Sequence, residues 1–169
     1  MVLNHSFFMT PDFRIGFGFD VHQLRSNHPF VLGGVTLHHH SGAYGHSDAD
    51  VLLHAICDAL LGAANLRDIG FHFKNTDDRW KGISSVILLQ EVVRLIAEKG
   101  FTIGNIDAMV CLEAPKINPH IPAMKKHIAD AISISEEDIS IKATTNEQMG
   151  FIGREEGVVA YAVCLIEKG

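Results

Sequence analysis

The sequence predicts a single α/β domain of α+β character, in which helices pack on one face of a mixed β-sheet. The chain has 169 residues, of which 47% are hydrophobic and 20% are charged, as in an ordinary globular domain. Segments with the two-residue period of a strand are interleaved with segments of helical period. Only one stretch has a clear strand–helix–strand order, which favours a mixed sheet over a fully parallel one.

The first predicted strand covers residues 14–22, RIGFGFDVH, where glycines alternate with larger residues. Glycines in a strand allow another part of the backbone to approach closely. Asp20 and His22 then lie on the same face, because side chains two residues apart in a strand point the same way. A second strand is predicted over residues 30–37, after a turn.

A helix is predicted from Ser47 to about Asn65, because Ser47 and Asp50 have the spacing of a capping box. Its apolar residues fall on one arc, and Asp50, His54 and Asp58 form a polar stripe on the other side. Asp50 and Asp58 each lie four residues from His54. We therefore expect them to orient the second ring nitrogen of His54.

The rest of the chain is predicted to contain two further helices and three further strands. Residues 68–82 are polar and rich in turn residues, so a long functional or mobile loop is expected there. The remaining elements are helices over residues 84–99 and 122–132 and strands over residues 105–113, 139–143 and 158–166.

Composition excludes several classes of protein. The net charge of −6 argues against nucleic acid or an anionic membrane as the main partner. No run approaches the roughly 18 apolar residues of a membrane span, so a soluble protein is expected. Cys57, Cys111 and Cys164 are set among apolar residues, which indicates reduced thiols in a reducing compartment. Residues 1–13 lack the features of a signal peptide and form an N-terminal extension to the domain of residues 14–169.

Asp20, His22 and His54 together offer one oxygen and two nitrogen ligands, the pattern of a catalytic zinc site. Three protein ligands leave the fourth tetrahedral position for water or substrate, whereas a structural zinc site uses four. On spacing alone, a solvated helix face and an ordinary strand end are the more common explanation of these residues. The chain has eleven histidines, and these give many accidental pairs.

Two other segments have groups suited to phosphate. Residues 113–119, EAPKINP, place Lys116 in a loop stiffened by prolines, although a plain rigid connection has the same pattern. Residues 142–147, KATTNE, offer hydroxyl, amide and carboxylate groups for phosphate oxygens and a hard cation, although an ordinary polar turn does so too. The sequence contains no P-loop, no G-x-S-x-G elbow and no plausible Cys–His nucleophile site. Direct attack on a metal-activated group is therefore the simplest mechanism.

Five segments carry a longer pattern: GFDVH at 18–22, HSDADVLLHAICDALLGAA at 46–64, DIG at 68–70, EAPKINPHIP at 113–122 and KATTNEQMGFIGREEG at 142–157. Together they resemble the 2-C-methyl-D-erythritol 2,4-cyclodiphosphate synthase family, in order and from about residue 14 to residue 167. The resemblance implies conversion of 4-diphosphocytidyl-2-C-methyl-D-erythritol 2-phosphate to the cyclic 2,4-diphosphate with release of CMP. This is a phosphorus–oxygen lyase reaction of non-mevalonate isoprenoid biosynthesis.

The resemblance also implies cofactors and catalytic residues. Zn²⁺ would be held by the aspartate and two histidines described above, and Glu147 would hold a second divalent ion, Mg²⁺ or Mn²⁺. His46 and Thr145 would stabilise the transition state. A nucleophile that is already an anionic phosphate needs no activated serine or cysteine, which agrees with the missing nucleophile motifs.

Substrate binding is implied for two groups of residues. On the zinc and methylerythritol side they are Asp20, Val21, His22, His46, Ser47, Asp58, Asp68, Ile69, Gly70, Phe73, Lys74, Asn75, Thr76 and Asp77. In the cytidine and phosphate pocket they are Leu112, Glu113, Ala114, Pro115, Lys116, Ile117, Asn118, Thr144, Thr145, Asn146 and Glu147. Phe151 and Arg154 match residues that line a central channel of the family's trimer.

The implied assembly is a homotrimer with each active site between neighbouring subunits, in a bacterial cytoplasm or a plastid. Three residues depart from those common in the family, namely Phe17, Asn146 and Glu155. Glu155 stands where glycine is frequent, which leaves ligand binding in the trimer channel open. Two other functions are consistent with the motifs: a metal-dependent phosphohydrolase, in which the metals activate water, and a non-enzymatic zinc- or nucleotide-binding module.

Overall fold

The computed structural model of the chain describes residues 12–74 and 76–169, so residues 1–11 of the predicted extension and the predicted substrate residue Asn75 lie outside the described residues. The strands are β1 (Phe13–Ser26), β2 (Phe30–Leu32), β3 (Val35–Leu37), β4 (Ser41–Tyr44), β5 (Phe101–Cys111), β6 (Ile139–Thr144) and β7 (Gly157–Lys168). The α-helices are α1 (Val51–Ala63), α2 (Ile69–His72), α3 (Ser85–Glu98), α4 (Ile121–Ile132) and α5 (Gly150–Gly153). None of the described helices is long and apolar enough to cross a membrane.

A five-stranded sheet with the strand order β4-β1-β7-β5-β6 forms the centre of the fold. β5 and β6 run parallel, and the other neighbouring pairs are antiparallel. Helix α1 packs against β1 and β7, α3 packs on α1, and α4 packs on α3 and β6. The structure therefore confirms the predicted mixed sheet with helices on one face.

The residues of β1 alternate between the two faces of the sheet. Asp20 and His22 lie on the half-buried face that α1 covers, as predicted, together with Gly16 and Gly18. The opposite face is apolar and exposed. It carries Ile15, Phe17, Phe19 and Val21 from β1 and Tyr161 and Val163 from β7.

Two glycines bring β1 and α1 into close contact. A Cβ atom added at Gly16 would lie 1.8 Å from the carbonyl oxygen of Ala59, and one at Gly18 would lie 1.9 Å from that of Ala55. Such distances are far inside van der Waals contact, so only glycine permits this approach. The close packing places the polar residues of β1 directly beside those of α1.

We expect Gly18→Ala to lower the free energy of unfolding by about 1–3 kcal/mol, because its methyl group would push α1 away from β1. Gly62→Ala, in helix α1, is the matched control, since its added Cβ would lie 4.0 Å from its nearest atom. Replacing a helical glycine by alanine there should stabilise the fold by roughly 0.5–1 kcal/mol. Denaturant unfolding of both variants measures the difference. Two variants of equal stability would contradict the close packing.

The prediction of one strand over residues 30–37 was wrong, because this segment forms a hairpin of β2 and β3. Gly33 and Gly34 have φ values of 58° and 76° and form its turn. Two consecutive residues with positive φ are the mark of a tight hairpin turn that suits glycine. The Asp50 carboxylate accepts hydrogen bonds from both glycine N–H groups, at 2.9 and 2.7 Å.

The first long helix starts later than predicted. Its N-cap is Asp50, which accepts a hydrogen bond from the Leu53 N–H at 3.1 Å, so the predicted start at Ser47 was wrong. The predicted loop over residues 68–82 contains the short helix α2 and a 3₁₀ turn at Asp78–Trp80. By contrast, α3 begins after its cap Ser84 and ends before Gly100, close to the predicted bounds.

Candidate metal centre and adjoining cavities

The structure brings together the three predicted zinc ligands. Asp20 and His22 come from β1 and His54 comes from α1, and one donor atom of each lies within 4.8 Å of the others. The Asp20 Oδ2 atom lies 3.0 Å from Nδ1 of His22 and 3.0 Å from Nδ1 of His54. The geometry expected from the strand period and the helix position is therefore present.

The ring of His22 supports metal binding by this group. Its Nδ1 atom is buried and, within the part of the chain that the structure describes, has no hydrogen-bond partner. The Asp20 Oδ2 atom lies within hydrogen-bonding distance of this nitrogen, but the angles do not allow a hydrogen bond. A buried polar atom without a partner is costly, and a metal ion would use its lone pair. Two imidazole nitrogens and one carboxylate oxygen suit a divalent ion and leave one tetrahedral position open.

Charge at the site also favours a cation. Burial raises the pKa of the Asp20 carboxyl, but the neighbouring imidazoles of His22 and His54 outweigh burial and hold that pKa below its usual value. Burial lowers the pKa of His54, but Asp20 outweighs it and the net pKa is raised. The carboxylate is therefore ionised at neutral pH. Metal binding must displace a proton from His54, so metal affinity should fall as the pH falls.

A hydroxyl network holds the other side of the His54 ring. The Nε2 atom lies 2.9 Å from Ser85 Oγ and 3.1 Å from Ser47 Oγ. Ser85 Oγ donates a hydrogen bond of 2.5 Å to Asp48 Oδ1, so this hydroxyl is left to accept from His54 Nε2–H. With Nε2–H donated to Ser85, the Nδ1 atom faces Asp20 Oδ2 at 3.0 Å, donating to it when His54 is protonated and offering its lone pair to a metal ion once that proton is lost.

The predicted orientation of His54 by two aspartates of its own helix was wrong. Asp50 is fully buried, and its carboxylate accepts hydrogen bonds from the backbone N–H groups of Gly33, Gly34 and Leu53. Asp58 accepts a hydrogen bond from the Ile69 N–H at 2.8 Å. Helix α1 is buried on most sides, so its polar stripe meets other segments of the chain instead of solvent.

We expect Ser85→Ala to weaken divalent-metal binding at this centre by about 10–100-fold, the usual effect of losing a group that orients a metal-binding histidine. Ser84→Ala is the matched control, because Ser84 caps α3 and does not contact His54. Competition with a chromophoric chelator gives both affinities. An unchanged affinity in Ser85→Ala, or an equal loss in the control, would contradict the role of the hydroxyl network.

The metal centre opens into a cavity of ≈ 250 Å³, here called the first cavity. It is lined by Asp20, His22, Gly45, His46, Ser47, His54, Ile69, Gly70, Phe73, Trp80 and Leu88. His46 Nε2 is buried and lacks a hydrogen-bond partner among the described residues, which leaves it available to a ligand. Gly45, Trp80 and Leu88 were not predicted. Trp80 packs edge-on against Phe73 with ring centroids 5.1 Å apart.

A second cavity of ≈ 110 Å³ lies at the ends of β5 and β6. It is lined by Leu112, Pro115, Lys116, Ile117, Asn118, Ala143, Thr144 and Thr145. β5 and β6 are parallel and finish level with each other, since Cys111 pairs with Thr144. The carboxyl ends of parallel strands are a usual place for ligands. At its rim, Thr145 Oγ1 donates a hydrogen bond of 2.9 Å to Glu147.

Other predicted site residues lie outside both cavities in the described ranges. They are Val21, Asp58, Asp68, Lys74, Thr76, Asp77, Glu113, Ala114, Asn146, Glu147, Phe151 and Arg154. Some of them support the cavity walls: Asp68 caps α2 through the Phe71 N–H, and Glu113 accepts from the Asn146 N–H. Val21 lies on the exposed face of the sheet.

Comparison with known proteins gives a consistent family. Residues 13–167 match the YgbB family. A 2-C-methyl-D-erythritol 2,4-cyclodiphosphate synthase from Cytophaga hutchinsonii is 64% identical over 92% of this chain and 98% of its own. A solved structure of a synthase of the same name has a TM-score of 0.85 and 36% identity, and covers 91% of this chain and 100% of its own. IspF of Plasmodium falciparum in complex with CDP has a TM-score of 0.83 and 32% identity, and covers 94% and 98%.

Proposed function

Because the chain belongs to the YgbB family, we propose that it converts 4-diphosphocytidyl-2-C-methyl-D-erythritol 2-phosphate to 2-C-methyl-D-erythritol 2,4-cyclodiphosphate and releases CMP. The reaction is that of a phosphorus–oxygen lyase in non-mevalonate isoprenoid biosynthesis. The observation that carries the proposal is the convergence of Asp20, His22 and His54 in the wall of a cavity large enough for a small polar ligand. The similarity to bacterial synthases supports a cytoplasmic location.

The proposed reaction joins two phosphate groups of one substrate. An oxygen of the 2-phosphate attacks the β-phosphorus of the diphosphate, the bond from that phosphorus to the oxygen bridging it to the α-phosphate breaks, and CMP departs with the electron pair. The attacking oxygen is already anionic, so the protein has to position the reacting groups and offset their charge. His46 has a buried nitrogen available for such an oxygen, and the Thr145 hydroxyl lies at the rim of the second cavity.

We infer two divalent ions in this reaction. Asp20, His22 and His54 fit Zn²⁺ by their donor set, and Glu147 is the proposed ligand of Mg²⁺ or Mn²⁺. When bound, such ions polarise phosphoryl oxygens and neutralise the developing charge. The Glu147 carboxylate is exposed and close to the Thr145 hydroxyl, an arrangement that suits a diphosphate–metal complex.

The second cavity is the proposed pocket for the cytidine diphosphate group. Lys116 supplies a cation at its edge, and Thr144 and Thr145 supply hydroxyl groups for phosphate oxygens. The similarity to a synthase solved with CDP supports a nucleotide ligand of this kind. The first cavity is then left for the methylerythritol phosphate.

We propose that three chains assemble with an active site between each pair of neighbours. The exposed apolar face supports association, because Phe17 pairs with Val163 and Phe19 with Tyr161 in adjacent strands. A continuous apolar patch of this kind usually marks an interface. The two cavities have no lining residue in common, which is consistent with a complete site that takes one cavity from each of two chains.

Incubation with the diphosphocytidyl substrate and Mg²⁺ tests the proposed function. We expect chromatography to show that CMP is formed. No CMP should form when a strong chelator removes the divalent ions. Unchanged substrate in the presence of Zn²⁺ and Mg²⁺ would contradict the proposal.

A further inference from the structure

A second group of metal-ligating side chains lies apart from both cavities. It consists of His39, His40 and Glu155, and one donor atom of each lies within 4.8 Å of the others. We propose that these residues bind a further metal ion of the Zn²⁺ class. This ion is separate from the one at the catalytic metal centre and from the Mg²⁺ or Mn²⁺ proposed at Glu147. The site is defined below as the His39–His40–Glu155 site.

The site joins two segments that are both fixed to the end of β1. The loop with the two histidines is attached where the Asn27 N–H donates to the His40 carbonyl oxygen, at 3.1 Å. The turn with Glu155 is attached where the Leu24 N–H donates to the Glu156 carbonyl oxygen, at 2.9 Å. The three side chains therefore lie on two segments that are each hydrogen-bonded to β1 or to the residue that follows it.

The donor atoms fit such an ion. His39 Nε2 is buried and finds no hydrogen-bond partner in the part of the chain described, and its ring centroid lies 4.1 Å from that of His40. Bonds of ~2.0–2.1 Å to a tetrahedral ion hold donors ~3.3 Å apart, so small side-chain rotations complete the site.

Glu155 has two features that a ligand role explains. Its backbone φ is 57°, in the left-handed region that favours glycine. Its neighbour Arg154 is paired with Glu156 at 2.9 Å, so that cation is already neutralised by another acid. The Glu155 carboxylate is left to the two imidazoles.

The donor group of this site is separate from that of the catalytic centre. The donors of each group cluster among themselves, and the two groups have no residue in common. None of the three residues of this site lines either cavity. An ion held there would bridge the histidine loop and the turn before β7, and would leave the catalytic residues unchanged.

Calorimetric titration of the full chain with Zn²⁺ tests the proposal. We expect two equivalents per chain for the parent protein, and one for both His39→Ala and Glu155→Gly. Glu155→Gly also removes the strain of a non-glycine residue at positive φ, so this variant should be at least as stable as the parent protein. Turnover of the diphosphocytidyl substrate should be unchanged in both variants.

His38→Ala is the matched control, because it shortens the exposed histidine run but removes no ligand of the site. It should retain both equivalents. A parent protein that binds one equivalent would overturn the proposal. So would a second equivalent that survives both ligand variants, or one that is lost with His38, which would indicate binding by the histidine run alone.

Discussion

His54→Ala should lose the divalent metal of the catalytic centre, and its turnover should fall by at least about 100-fold. His54 supplies one of the three donors and is 6% exposed, so no solvent-facing side chain can replace it in this site. Losing even an orienting group usually costs 10–100-fold in metal affinity or activity, and loss of a ligand should cost more. Metal analysis of the purified variant and steady-state kinetics measure the two effects.

The folded state should survive this substitution. Helix α1 is buried on most sides through residues such as Leu53, Ile56, Leu60 and Leu61, and alanine is a good helix former. His72→Ala is the matched control, because the His72 ring contacts the Leu66 carbonyl oxygen and lies outside the ligand group. It should keep its metal. Undiminished metal in folded His54→Ala would show that the ligands have been wrongly assigned.

Glu147→Gln should mainly lower turnover, by about 100-fold, while leaving the metal of the first cavity in place. Glutamine keeps the size of the side chain and an oxygen that accepts the 2.9 Å hydrogen bond from Thr145. The variant therefore removes a negative charge and little else. Loss of that charge should weaken binding of the proposed second divalent ion, which would offset the negative charge that moves onto the departing CMP.

Lys116→Ala provides the contrast. Lys116 lines the second cavity and would contact the nucleotide in both the substrate and the transition state. Its loss should therefore raise KM by about tenfold with little change in kcat. Kinetics at several Mg²⁺ concentrations separate the two variants. Full turnover of Glu147→Gln at ordinary Mg²⁺ concentrations would exclude the second-metal role.

Elements with a regular period were predicted well from the sequence. The alternation in β1 predicted the shared face of Asp20 and His22, and the helix predicted over residues 84–99 matches α3 to within one residue at each end. The hairpin at Gly33 was missed although the sequence signals it, because a Gly-Gly pair between two short apolar runs is typical of a two-residue hairpin turn.

The three residues of the candidate metal centre could be brought together from the sequence, but the groups that support them could not. Their residue types and their positions on a strand and a helix are local features of the sequence. Ser85 and Asp48 hold His54 through a contact between residues 31 positions apart, which depends on how α3 packs on α1. Trp80 was missed for a similar reason, since it reaches the first cavity from a segment that has no regular period.

Phosphorus NMR of the reaction products tests the cyclising reaction most directly. With the diphosphocytidyl substrate, Zn²⁺ and Mg²⁺, we expect two coupled resonances of a cyclic diphosphate together with that of CMP, in equal amounts and without free phosphate. Water as the nucleophile would instead give inorganic phosphate or an open-chain phosphate ester. That result would contradict intramolecular attack and would indicate a metal-dependent phosphohydrolase.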